Sequence, residues 1–265
     1  MSRSFRGVAV AAALLSATLV GGTGTPALAA GIPACDMADP NPALDLPAVT
    51  RGPTWFLRNC YKGGTADVEI NYGLSTDVQV MGDWNGDGVI TPGVFRDGTW
   101  YLRNTNTSGT AEVVFQFAST GDIPVVGDWD GDGKDNPGVF RRSNATFYFR
   151  DTNTSGAADH TAVYGNPTDT PVVGDWNNDG KDTPGVFRAG FWYLTNQSVG
   201  GSAEGIFRYG NPTDTPVVGD WNNDGTDTLG VFRQGMWFRT DVFGDPGQAG
   251  FQFGQTGDKP LIWSA

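Results

Sequence analysis

Histidine is almost missing from this chain: His160 is the only one in 265 residues. Glutamate is scarce as well, with Glu69, Glu112 and Glu204 making up the whole set. A Ser/His/Asp site would have to be built around His160, which lies among Ala and Thr in a strand-like segment and reads as a surface histidine. A glycosidase needs two carboxylates converging on one bond, and three glutamates in separate outer segments do not supply them. Cysteine is limited to Cys35 and Cys60, with no metal-ligand spacing, so in an oxidising compartment one Cys35–Cys60 disulfide is expected. Cations are outnumbered, 17 Lys+Arg against 29 Asp+Glu for a net charge of −12. That balance excludes nucleic acid and anionic membrane as expected partners. Helix signals are nearly absent, and no glycine loop of the phosphate-cradling kind precedes one.

Long apolar runs are absent beyond residues 8–20. That run follows Arg3 and Arg6 and precedes Ala27, Leu28 and Ala29, the layout of a secretory signal peptide and too short for a membrane span. Residues 1–30 are therefore read as a leader, 31–43 as a Pro-rich tail and 44–265 as the folded domain. A secreted protein without membrane insertion is expected, acting as a monomer.

What the chain does have is 39 glycines, 16 prolines, 12% aromatics and a repeat. GDWNNDGKDTPGVFR begins at Gly174, and close copies begin at Gly82, Gly127 and Gly219, spaced by 45, 47 and 45 residues. A period of 40-odd residues marks a stack of supersecondary units. Each unit offers four strand candidates, in the second unit 78–84, 93–96, 99–104 and 111–117, joined by Asn/Thr/Ser/Gly/Pro turns. The third strands carry apolar residues on both faces, as in Trp100, Tyr101 and Leu102, which predicts burial between neighbouring sheets. Four-stranded antiparallel sheets in radial array make a β-propeller. The first unit begins with a second strand at 47–51, and the C-terminal segment 257–263 matches a first strand and then stops. Paired together they complete five blades and close the ring.

Between first and second strands each repeat places a D-x-[ND]-x-D-G loop, with oxygen-bearing side chains at loop positions 1, 3 and 5 and Gly at 6. These are Asp83, Asn85 and Asp87; Asp128, Asp130 and Asp132; Asp175, Asn177 and Asp179; Asp220, Asn222 and Asp224. Such a loop wraps a hard cation that takes six to eight oxygens, Ca²⁺ above all. Carbonyls at position 7 (Val89, Lys134, Lys181, Thr226) offer one more ligand each. The competing reading is a hydrogen-bonded Asx turn. Valine at position 12 rules out an EF-hand, which needs a bidentate Glu there.

On these loops, in phase with the strands, the chain resembles the FG-GAP/VCBS repeat family, whose calcium-loop propeller repeats also occur in integrin α-subunits. The resemblance covers nearly all of 44–265. It implies structural Ca²⁺ in the loops between first and second strands, and partners bound on the opposite face. The chain departs from that pattern at position 9, where the family's aspartate is replaced by Thr91, Asn136, Thr183 and Thr228. The second to fourth copies carry an aspartate at position 8 instead (Asp135, Asp182, Asp227), and the first has Ile90.

The blade-to-blade links end in Asp77, Asp122, Asp169, Asp214 and Asp258, five carboxylates expected to ring the axis as a negative mouth on the face opposite the loops. The aromatic series Trp55, Trp100, Phe147, Trp192 and Trp237 is expected to be core, with sugar stacking as the other option. The expected function is a secreted, non-enzymatic calcium-binding propeller that binds an extracellular carbohydrate or protein. The alternative is a secreted glycan-acting hydrolase on the same fold.

Overall fold

The structure, a computed structural model, describes residues 45–264. The expected leader, the Pro-rich tail and Cys35 lie outside the described residues, and no described cysteine is free. No helix among the described residues is long and apolar enough to cross a membrane.

Twenty strands form five antiparallel four-stranded sheets. Blade 1 holds β1 (Leu46–Arg51), β2 (Thr54–Leu57) and β3 (Val68–Asn71). Blade 2 is β4 (Val78–Gly82), β5 (Thr91–Arg96), β6 (Thr99–Leu102) and β7 (Val113–Gln116). Blade 3 is β8 (Ile123–Gly127), β9 (Asn136–Arg141), β10 (Thr146–Phe149) and β11 (His160–Val163). Blade 4 is β12 (Thr170–Gly174), β13 (Thr183–Arg188), β14 (Phe191–Leu194) and β15 (Gly205–Arg208). Blade 5 is β16 (Thr215–Gly219), β17 (Thr228–Arg233), β18 (Met236–Arg239) and β19 (Phe251–Gln252). The last strand, β20 (Lys259–Trp263), returns to blade 1 and pairs antiparallel with β1 from Leu46↔Trp263 to Thr50↔Lys259. The inner strands then follow one another around the axis, β4 beside β8, β8 beside β12, β12 beside β16, β16 beside β20 and β20 beside β4. This is the five-bladed ring, closed by the C-terminal strand, that the repeat predicts.

Burial grades outward through each blade. Second strands are buried on both faces, as in Thr91–Arg96, while third strands alternate and fourth strands are mostly exposed. The two-sided burial expected of the third strand therefore holds there only in part, and the strand buried on both faces is the second. Trp100 and Leu102 are fully buried, but Tyr101 on the other face is half-buried, under the Arg96 guanidinium 4.7 Å from its ring centre. The same cation–π cover recurs as Arg141 over Tyr148, Arg188 over Tyr193, Arg233 over Phe238 and Arg51 over Phe56.

The core is five interblade clusters rather than one. Trp55 and Leu57 of blade 1 pack with Met81 and Val94 of blade 2, for example. Trp55, Trp100, Phe147 and Trp192 have no exposed surface and Trp237 has 2%. These aromatics are core, and the sugar-stacking option for them is withdrawn. Four of the five side chains in this series are indoles, and each donates its N–H to the carbonyl of the residue just after its own fourth strand, as Trp192 does to Tyr209 at 2.9 Å.

Candidate metal centre

Each Asp loop is shaped by its first residue. In blade 3, Asp128 Oδ1 accepts from the N–H groups of Gly131 (2.7 Å) and Asp132 (3.2 Å), and Oδ2 accepts from Gly133 (2.8 Å). Asp83, Asp175 and Asp220 make the corresponding bonds to Gly88, Gly180 and Gly225 at 2.6–2.8 Å. The fifth-position aspartate then accepts from the N–H at position 7, Asp87 from Val89 and Asp132 from Lys134, both at 2.9 Å. Positions 4 and 6 lie at positive φ, Gly131 (81°) and Gly133 (87°) in blade 3, Asn178 (57°) and Gly180 (84°) in blade 4. Gly and Asn are the residues that enter that region at least cost. The Asx-turn reading is thus realised in the backbone.

The side chains at positions 1, 3 and 5 face one another. One carboxylate oxygen from each of Asp128, Asp130 and Asp132 lies within 4.8 Å of the other two. In the other loops position 3 is Asn, and its amide donates to the fifth-position carboxylate: Asn85 to Asp87 at 2.9 Å, Asn177 to Asp179 and Asn222 to Asp224 at 3.0 Å. Burial pushes the Asp83, Asp128 and Asp220 carboxyls above the ordinary value, against the loop N–H groups that pull them down. In blade 3 the three converging carboxylates are donors of the kind a hard cation takes, so the Asp128, Asp130 and Asp132 set is compatible with Ca²⁺.

The position-8 aspartates serve a different loop from their own. Asp135 Oδ2 accepts from the backbone N–H of Asp83 in the preceding blade at 2.7 Å, and its own N–H donates to the Asp83 carbonyl at 2.9 Å. Asp182 grips Asp128 and Asp227 grips Asp175 in the same two-bond way. Asp45, which precedes β1 and stands at the same place in blade 1, takes the Asp220 N–H at 2.7 Å. Every loop is therefore held at its first residue by the next blade around the ring. Ile90 is the exception because the blade before it carries no loop; its N–H donates instead to Ser264 Oγ at 2.7 Å. The glycines ending the first strands of blades 3 to 5, Gly127, Gly174 and Gly219, make room for the grip: a Cβ at Gly127 would meet Asp182 Oδ2 at 2.6 Å. Asp45 was not singled out by the sequence. The available signal was its position, one residue ahead of the first second strand, in register with Asp135, Asp182 and Asp227. These four acids, Ile90 and the apolar ends of the inner strands line an axial cavity of about 160 Å³.

The link aspartates do not form a bare negative mouth. Asp77, Asp122, Asp169, Asp214 and Asp258 are all buried, and each makes a two-pronged pair with an arginine ending a second strand. The pairs are Asp77–Arg96, Asp122–Arg141, Asp169–Arg188, Asp214–Arg233 and Arg51–Asp258, with contacts of 2.6–2.9 Å. The same carboxylates cap their own turns, Asp77 accepting from the Leu74 N–H and Asp169 from Asn166. The arginines cancel the charge, which corrects the sequence expectation. A constant separation of 19 residues between Asp and Arg in blades 2 to 5 was the signal for it.

Burial alone would raise the Asp77 and Asp214 carboxyls, but the arginine and turn N–H bonds outweigh it and hold both below the ordinary value. Their contribution to stability is therefore complete above about pH 3.9, the unfolded aspartate value, and is lost as pH falls through the lower folded values. Melting temperature against pH should fall less steeply below pH 4 in Asp77→Asn/Asp214→Asn than in the parent protein. Parallel acid limbs would show that these pairs are not linked to acid unfolding.

The remaining candidates stay apart. His160 in β11 faces Asp151, with Nδ1 3.6 Å from Oδ1. Glu69 lies in β3, while Glu112 and Glu204 accept from the N–H groups of Asn104 and Asn196 at their own blades' turns. The three glutamates thus sit in three different blades. No family model matches the chain, and no curated protein matches it.

Proposed function

We propose a secreted, non-catalytic propeller in which Ca²⁺ bound by the four Asp loops stiffens the ring and the surface binds an extracellular carbohydrate or protein. The observation that carries the metal reading is the convergence of the Asp128, Asp130 and Asp132 oxygens within 4.8 Å, repeated as a side-chain pattern in three other blades. Side chains at positions 1, 3 and 5 and the carbonyl at position 7 would hold the ion. The ion supplies positive charge to carboxylates that burial otherwise disfavours. The Cys35–Cys60 disulfide belongs to the same reading, tying the segment before β1 to blade 1. The likeness to FG-GAP repeats rests on the loops and on their place between first and second strands.

Metal analysis of the purified protein should return calcium, and chelation should lower the melting temperature. A single site at a hundred times its Kd contributes about 2.7 kcal/mol, which is roughly 5–10 °C for a domain of this size. Asp132→Ala should abolish the share contributed by the blade 3 loop. Calcium-free protein with the same melting curve in EDTA and in millimolar CaCl₂ would end the metal reading.

A further inference from the structure

The chain contains a single Asn-Gly pair, Asn85 and Gly86, and it occupies positions 3 and 4 of the blade 2 loop. Blade 3 carries Asp-Gly at those positions, and blades 4 and 5 carry Asn-Asn. After an asparagine, glycine leaves the next main-chain nitrogen freest to attack the carboxamide, because it has no side chain to shield that nitrogen. Asn85 is exposed, so water reaches it.

The closed loop holds this reaction back. The nitrogen that would attack, Gly86 N, donates its hydrogen to Asp83 Oδ1 at 2.8 Å. The carboxamide is tied at both ends to Asp87, with Nδ2 donating to Oδ2 at 2.9 Å and Oδ1 accepting from the Asp87 N–H at 3.1 Å. Asp83 is fixed in turn, through its own N–H and carbonyl, by Asp135 of the next blade. Blade 3 also covers the glycine, since a Cβ at Gly86 would come within 3.0 Å of Lys134 Cγ. Bringing Asn85 Cγ onto the Gly86 nitrogen breaks these bonds, so the reaction waits on local opening of the loop.

We propose that Asn85 is a deamidation site, latent in the closed loop and reactive when the loop opens. Gly86 N gives its proton to hydroxide and bonds to Asn85 Cγ; the Cγ–Nδ2 bond breaks, and ammonia leaves with a proton taken from water. Water then opens the succinimide at either carbonyl, giving aspartate or isoaspartate at position 85. The sum is water consumed and ammonia released, with no oxidant or enzyme in the balance. The aspartate product turns GDWNGDG into GDWDGDG, letter for letter the start of the blade 3 loop, whose three carboxylates converge within 4.8 Å. It replaces the amide bond to Asp87 by two like charges. The isoaspartate product lengthens the main chain by a methylene. That shifts the Gly86, Asp87 and Gly88 N–H groups away from Asp83, which accepts from all three.

The test is peptide mapping by mass spectrometry, with an isoaspartate-specific methylation assay, on folded protein held at mildly alkaline pH. Asn85 should be the first asparagine to exchange NH2 for OH, as a mixture of aspartate and isoaspartate. Gly86→Asn copies the pair of blades 4 and 5, where Asn178 and Asn223 take the same left-handed conformation at φ 57° and 58°. It should slow the conversion about tenfold or more, the added side chain shielding the nitrogen. Asp83→Ala leaves the Gly86 N–H without its acceptor and should speed the conversion about tenfold. Should Asp83→Ala fail to fold, Asp135→Ala, which loosens Asp83 from the neighbouring blade, carries the comparison in the same direction. Conversion of another asparagine ahead of Asn85 would overturn the site. Equal rates in the parent and in the loosened variants would overturn its control by the loop.

Discussion

Removing residues 257–265 should leave no folded monomer. The deletion takes away five residue pairs along β1, from Leu46↔Trp263 to Thr50↔Lys259. It also removes Trp263, 3% exposed with its Nε1 donating to Arg58 O at 2.9 Å, and Asp258, the partner of Arg51. Loss of a buried tryptophan alone costs about 3–5 kcal/mol, against a whole-domain stability of roughly 5–15 kcal/mol. The unpaired β1 edge, which carries the buried Leu46 and Ala48, then becomes a template for association. Size-exclusion chromatography and thermal melts should show aggregate or unfolded chain, with Trp263→Ala alone still folded but less stable. A monomeric truncation that melts where the parent does would mean the ring is not held shut by this strand.

The second large effect is expected at the interblade grip. Asp182→Ala removes a charge-assisted bond and leaves the buried Asp128 N–H without its acceptor, a loss of about 2–3 kcal/mol. Asp182→Asn retains an acceptor oxygen and should cost clearly less. The more telling readout, on the proposed calcium binding, is which loop loses affinity. Asp182 belongs to the blade 4 loop in sequence, but it holds the first residue of the blade 3 loop in space. Calcium affinity should therefore fall at Asp128–Asp132 and stay unchanged at Asp175–Asp179. Per-site occupancy, read from amide NMR shifts of Gly133 and Gly180 during a calcium titration, separates the two. Loss at Gly180 instead would show that position 8 serves its own loop.

That grip marks the limit of what the chain alone discloses. Blade number, strand order and the closing role of β20 were all legible, because a repeat with unmatched ends permits few closures. Third- and fourth-strand limits came out two to three residues too generous, for instance 99–104 against Thr99–Leu102, and second-strand limits one to two residues short, 93–96 against Thr91–Arg96, since turn residues such as Arg103 and Asn104 look strand-like until their side chains are seen folded over the next turn. Loop residues were legible too, being adjacent in sequence. Contacts between blades were not. The Asp135–Asp83 bond spans 52 residues, so an aspartate beside a metal-type loop reads as part of that loop, and Ile90 reads as a defect in it. Likewise the five link aspartates looked free because their arginines lie at the far end of a different strand. Charge neutralisation of this kind depends on which side chains the sheet brings opposite one another, and composition does not record it.

The direction of the grips has a consequence for how the protein is made. A ribosome delivers the blades in order, and each loop is fastened by an aspartate that is synthesised later than the loop itself. Asp83 waits for Asp135, Asp128 for Asp182 and Asp175 for Asp227. Only Asp220 breaks the order, since its clasp, Asp45, leaves the ribosome first. The Asp220–Asp45 clasp thus lies at the same seam as the β1–β20 pairing, where the beginning and the end of the domain meet. It can be completed only when the two ends of the ring have come together, so this clasp waits on closure of the ring rather than on the next blade to be made.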